Sequence, residues 1–133
     1  MAGEKYVVAT AENPFQITIR NILNPSGYIF LGNCNDSVSL MRLIRSYHPD
    51  FVIVDLGMQS GELRRTLETI DDEMVCACII IGDNKDVEAL GLVDKSMTIS
   101  YCPRSPSKEI LVHTVELSMI NYKRIYGLNR KLK

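Results

Sequence analysis

Short apolar runs alternate with amphipathic segments five times along this chain, which predicts five strand–helix units. The first run, Tyr6-Val7-Val8-Ala9, reads as a strand. After Asn13-Pro14, residues Phe15, Ile19, Ile22 and Leu23 recur at helical spacing and define one apolar face, and Asn24-Pro25-Ser26-Gly27 then interrupts the chain. A second strand is expected over Tyr28-Ile29-Phe30-Leu31. The helix after it has Asn35, Asp36 and Ser37 as candidate caps and Val38, Met41 and Ile44 on one stripe. His48-Pro49-Asp50 ends that helix, and the third strand, Phe51-Val52-Ile53-Val54-Asp55, begins at once. Gly61 opens a third helix with Leu63, Leu67 and Ile70 facing inward. The run from Val75 to Ile81 is almost wholly apolar, as a central parallel strand buried on both faces should be. A short helix around Val87, Leu90 and Val93 and a strand from Met97 to Tyr101 come next. Ser105 is the expected cap of a last helix, with Pro106 at its first position.

Strands and helices in strict alternation, joined by short connections, argue for an α/β fold with one parallel sheet covered by helices on both faces. The length, 133 residues, is that of one ordinary domain, and 46% apolar with 23% charged residues is a soluble globular composition. A net charge of −1 offers no field for nucleic acid or an anionic membrane. No apolar stretch approaches the roughly 20 residues of a membrane span. The start, Met1-Ala2-Gly3-Glu4-Lys5, lacks signal-peptide features. Cys34, Cys76, Cys78 and Cys102 are scattered, mostly in apolar runs, which suits reduced thiols in a cytoplasmic protein. Cys76 and Cys78 share one strand face, but no second ligand pair of matching spacing supports a metal site there.

The last helix is long. Leu111, Val115, Ser118, Tyr122, Ile125, Asn129 and Leu132 alternate at four and three residues, a heptad seam with two polar members. After Glu116 it carries Lys123, Arg124, Arg130, Lys131 and Lys133 and no acid. Gly127 weakens it by about 1 kcal/mol relative to alanine. Such a helix is expected to form a homodimer or to pass a signal onward; a solvated basic tail is the plainer reading. Ending without a cap, the chain reads as a fragment of a longer protein, divided into a domain at 1–121 and a coiled-coil linker beginning at 122–133.

Asp55 carries the chemistry. An uncompensated carboxylate at the mouth of a hydrophobic strand is costly, and open α/β sheets place ligand chemistry at the carboxyl ends of their strands. A loop-capping or solvated carboxylate is the structural alternative. The block Ser26-Gly27-Tyr28 through Leu31-Gly32, then Ser39-Leu40 through Arg45, then His48-Pro49-Asp50-Phe51-Val52-Ile53-Val54-Asp55-Leu56-Gly57-Met58, resembles the response regulator receiver domain. The likeness spans about residues 5 to 121. It implies a flavodoxin-like three-layer sandwich with sheet order 2-1-3-4-5, with Asp55 at the position that accepts a phosphoryl group from a histidine kinase.

By that resemblance a pocket needs Mg²⁺ to neutralise the phosphoryl charge, and a hydroxyl and a lysine to hold its oxygens. Glu12 matches one metal acid, and the other is lost to Ala11 or Thr10. Asp55 and the carbonyl of Gly57 complete the implied Mg²⁺ set. The loop Met58-Gln59-Ser60-Gly61 is shorter than its counterpart. Gly82 stands at the hydroxyl position, Asp83 adds negative charge beside it, Cys102 replaces the lysine, and Ile99 replaces the switch aromatic. Arg104 lies two residues beyond. The expected activity is therefore that of a receiver with an acceptor and an incomplete pocket, not that of an enzyme.

Tyr101-Cys102-Pro103 followed by Glu109-Ile110-Leu111 and a basic heptad helix is similar in style to receivers of the ANTAR type. That resemblance implies an RNA-binding output domain beyond Lys133, and no nucleic-acid binding by this part of the chain. Two other classes compete: a silent dimerisation module, and a small enzyme or ligand-binding protein of the same fold. The sequence has no Gly-x-Gly-x-x-Gly, no phosphate loop and no nucleophile elbow; His48 and His113 are expected to be structural or exposed.

Overall fold

Every residue of the strands Phe51–Asp55 and Ala77–Ile81 is buried, Asp55 included. Their near-continuous apolar character is what a parallel sheet covered on both faces demands. The computed structural model describes residues 3–58, 62–93, 95, 96 and 98–132, the side chains of 129–132 excepted. The elements are β1 (Lys5–Ala9), α1 (Asn13–Leu23), β2 (Ile29–Cys34), α2 (Ser37–Tyr47), β3 (Phe51–Asp55), α3 (Leu63–Glu73), β4 (Ala77–Ile81), α4 (Asn84–Leu90), β5 (Ile99–Cys102) and α5 (Lys108–Leu132). All neighbouring strands pair in parallel, in the order β2-β1-β3-β4-β5. This is the flavodoxin-like sandwich expected from the sequence.

Alternation along the strands divides the interior into two cores. Val7, Val52, Val54, Cys78 and Ile80 pack with Leu40 and Ile44 of α2 and with Leu63, Leu67 and Ile70 of α3. Tyr6, Val8, Phe51, Ile53 and Ile79 pack with Ile19 and Leu23 of α1 and with Leu111, Val115 and Met119 of α5. Both cores lean on β3, so the carboxyl end of β3 is fixed from each side.

Several boundaries differ from the sequence reading. β2 runs on through Gly32, Asn33 and Cys34, because these residues pair with Val7, Val8 and Ala9 after a bulge between Tyr6 and Val7. On an edge strand the backbone ladder needs no apolar run. In α2 the core stripe is Leu40 and Ile44; Val38 faces solvent. Asp36 is the cap, its Oδ1 accepting from the Ser39 N–H at 2.7 Å, and its carboxyl is held below the usual range chiefly by that bond. Val93 is likewise exposed and lies past α4, while Leu92 supplies the buried contact. Ser105 does not cap α5. Its backbone is left-handed (φ 51°), and the helix begins at Lys108, where the Ser107 Oγ accepts from the Ile110 N–H at 3.2 Å. Gly61, Gln59, Ser60 and Met97 lie outside the described residues.

α5 changes the reading of the heptad seam. Leu111, Val115 and Ser118 are buried, Tyr122 donates a hydrogen bond to the Met74 carbonyl, and Ile125 is half-buried. From Leu111 to Tyr122 the seam is therefore the face by which α5 packs on its own sheet. The side chains of Asn129 and Leu132 lie outside the described set. α5 passes through residues 121 and 122 without a break.

All four cysteines are free and buried. Burial pushes the thiols of Cys34 and Cys76 up to about 12 and raises those of Cys78 and Cys102 as well. Reactivity follows the thiolate. A thiolate-selective chromogenic reagent at about pH 8 is expected to label the native protein very slowly and to titrate all four thiols at once after denaturation; rapid native labelling of any one would contradict this packing.

Candidate functional site around Asp55

Asp55 ends β3 and is only 2% exposed, yet its charge is well provided for. Its Oδ2 accepts from the Thr10 hydroxyl at 2.7 Å, and its Oδ1 accepts from the Gly57 N–H at 2.8 Å. Arg104 approaches the same Oδ1 with Nη1 at 3.4 Å, and its Nε stands 3.5 Å from an Asp83 carboxylate oxygen. A buried carboxylate is tolerated when donors and a counter-charge satisfy it. Here Thr10 comes from the end of β1, Gly57 from the turn after β3, and Arg104 from the loop after β5.

The neighbouring positions explain why this sequence folds so. A Cβ on Gly57 would stand 2.8 Å from Arg104 Nη2 and 3.1 Å from Asp55 Oδ1, so the missing side chain is the space the guanidinium uses. A Cβ on Gly82 would stand 2.8 Å from the Leu56 Cβ and 2.9 Å from its Cδ2. Leu56 therefore fills the place where the resemblance would put a hydroxyl, and only glycine fits beneath it. Cys102, at the lysine position, is buried in the core shared with α1 and α5 and does not reach Asp55. Ile99 lies in the opposite core.

Of the expected site residues, Asp55 and Gly57 are in contact through the Gly57 N–H. Glu12 is exposed, with its backbone N–H on the Thr10 Oγ1 at 3.1 Å. With Arg104 and Phe15, it lines a groove of about 240 Å³ between α1 and the loop after β5. Among the described residues no three histidine, cysteine, aspartate or glutamate side chains converge as a metal set. The set does not fit Mg²⁺ well: both oxygens of Asp55 already accept hydrogen bonds, and the Arg104 guanidinium brings fixed positive charge against Oδ1 where a metal set would bring further acids. Two participants were weakly signalled in the sequence. Thr10 appeared only as a lost acid, and the direction of Arg104 could not be read from its position.

No family model and no curated protein matches the sequence. Solved structures match in shape. The signal receiver domain of a modulated diguanylate cyclase from Desulfovibrio desulfuricans G20 gives a TM-score of 0.72 at 18% identity, over 90% of this chain and 96% of that one. A DNA-binding response regulator of the LuxR family from Staphylococcus aureus gives 0.73 at 20% identity, over 88% and 99%. The signal receiver domain of an HD domain-containing protein from Pseudomonas fluorescens Pf-5 gives 0.79 at 12% identity, over 96% and 94%. At these identities the likeness establishes the receiver fold for nearly the whole chain. No described helix is long and apolar enough to cross a membrane.

Proposed function

We propose that this chain is a receiver-type signalling module that works without phosphoryl transfer, with Asp55 at the acceptor position held as an ion-paired carboxylate. The observation that carries the reading is the Arg104 guanidinium, 3.4 Å from Asp55 Oδ1 and 3.5 Å from Asp83. Receiver chemistry requires an acceptor oxygen open to phosphorus, with positive charge on the phosphoryl oxygens. In this chain one oxygen is taken by Thr10, and the other by Gly57 and Arg104. Leu56 closes the hydroxyl side through Gly82. On this reading Mg²⁺ at Glu12, Asp55 and Gly57 is dispensable. The Arg104 bridge joins the ends of β3 and β4 to the loop that starts α5. An output domain attached through α5, of the RNA-binding ANTAR type suggested by the sequence, would respond to that bridge rather than to a phosphate.

Phosphorelay from a histidine kinase is the rival reading, and one experiment separates the two. The protein is incubated with acetyl phosphate and Mg²⁺, and in parallel with beryllofluoride and Mg²⁺. No phosphoryl adduct by intact mass and no change in melting temperature are expected. A Mg²⁺-dependent adduct that Asp55→Asn abolishes would overturn the proposal.

A further inference from the structure

The groove beside Arg104 carries an acid that the proposed function leaves without a role. It encloses about 240 Å³ between the start of α1 and the loop after β5. Glu12 lines it, exposed, and the Glu12 carboxylate forms no ion pair among the described residues. Arg104 lines it too, with its side chain 37% exposed. Phe15, Ile19 and Pro106 supply apolar surface. Between Arg104 and Pro106, Ser105 keeps a left-handed backbone (φ 51°), which a residue with a Cβ holds only where its surroundings impose it. That turn lets one neighbour reach Asp55 while the other lines the groove.

The charges decide what kind of molecule fits. Arg104 Nη1 is 3.4 Å from Asp55 and its Nε is 3.5 Å from Asp83, both longer than the about 2.7–2.9 Å of a well-seated charge-assisted bond. The guanidinium is thus shared between two acids and grips neither with both prongs. Its planar fork of donors matches a carboxylate that can approach it squarely. A simple anion would meet one positive charge among Glu12, Asp55 and Asp83, and would be repelled. A simple cation would satisfy Glu12 but face Arg104 and leave its fork unused. A zwitterion answers both, with its carboxylate on Arg104, its ammonium on Glu12 and an apolar side chain against Phe15, Ile19 and Pro106. The volume lies below the about 300–1,000 Å³ of sites for larger ligands, which suits a single amino acid and not a nucleotide.

We infer that this groove binds a free α-amino acid with an apolar side chain, whose carboxylate competes with Asp55 for the Arg104 guanidinium. The inference rests on the reading of Asp55 as an ion-paired carboxylate, and it names the signal that loosens the bridge in place of a phosphate. Competition for one guanidinium is reciprocal: whatever weakens the hold of Asp55 on Arg104 strengthens the hold of the ligand.

The experiment is isothermal titration calorimetry of the dialysed full chain in EDTA, with L-phenylalanine and L-leucine as probes. One-to-one binding with a dissociation constant on the order of 0.1 mM is expected. Phenethylamine lacks the carboxylate and 3-phenylpropionate lacks the amine, so each should bind at least about tenfold more weakly than L-phenylalanine. Glu12→Gln and Arg104→Met should each weaken binding by about tenfold or more. Glu12 is exposed, so its variant separates lost recognition from lost folding. Asp55→Asn removes the competitor and should tighten binding about fivefold. No saturation of either probe by about 10 mM overturns the inference. So does equal binding of the amine or the acid alone, or an affinity that Glu12→Gln or Asp55→Asn leaves unchanged. The acetyl phosphate experiment judges the underlying reading separately. A Mg²⁺-dependent adduct removes that reading, whereas no adduct together with no amino-acid binding removes only this inference.

Discussion

Arg104→Met is expected to lower the unfolding free energy by about 1–2 kcal/mol, measured by urea denaturation. Asp55 is buried and keeps its bonds from Thr10 and Gly57, but it loses its counter-charge. Breaking a fully buried pair costs about 3–5 kcal/mol. Arg104 is 37% exposed, so solvent screens part of that cost. The decisive comparison is with Asp55→Asn/Arg104→Met, in which the charge and its partner are both gone. Residues in direct contact couple, and the double variant should recover about 1 kcal/mol relative to the sum of the single changes. Strict additivity would mean that Arg104 does not hold the site, and the proposed function would lose its support. Asp83 sharpens the test: it touches the guanidinium from the exposed side, so its own removal should cost less than half as much.

The largest stability effect should come from Phe51→Ala, at about 3–5 kcal/mol. Phe51 is fully buried, stacked on Tyr6 with ring centroids 5.3 Å apart and an interplanar angle of 8°, and set edge-on to Tyr28 at 5.4 Å and 86°. It ties β3 to β1 beneath α1 and α5, so alanine leaves a cavity where both helices rest. For a domain whose whole stability is about 5–15 kcal/mol, that is a large share. Val38→Ala is the matching control. Hydrophobic periodicity alone puts Val38 in the core, whereas the structure leaves it in solvent, and its loss should change stability by no more than about 0.5 kcal/mol. A large loss for Val38, or a small one for Phe51, would contradict the packing.

The parallel sheet and the burial of β3 and β4 were legible because buried parallel strands must be continuous apolar runs, and few residue patterns imitate them; the strand order came only with the resemblance to receivers. Leu63, Leu67 and Ile70 were read correctly for the same reason, at helical period. The errors fall where another force sets the outcome. Gly32-Asn33-Cys34 reads as a loop, yet the ladder with β1 extends through it. Val38 and Val93 are apolar but sit on outer surfaces, which periodicity over one or two turns does not resolve. Ser105 has the composition of a cap but a left-handed backbone, and Ser107 takes the role.

The sequence by itself determined that a carboxylate stands at the end of the third strand, with glycine two residues on, and with glycine and cysteine at the positions where the resemblance implies a hydroxyl and a lysine. It also determined the acidic-to-basic order of α5, a property of spacing alone. The tertiary structure decided the rest. Whether Arg104 reaches Asp55 depends on the turn after β5 and on space left open by Gly57. Whether the heptad seam is free depends on which side of α5 the sheet occupies. Both are questions of direction, and a side chain's direction is fixed by the backbone around it and by contacts distant in sequence.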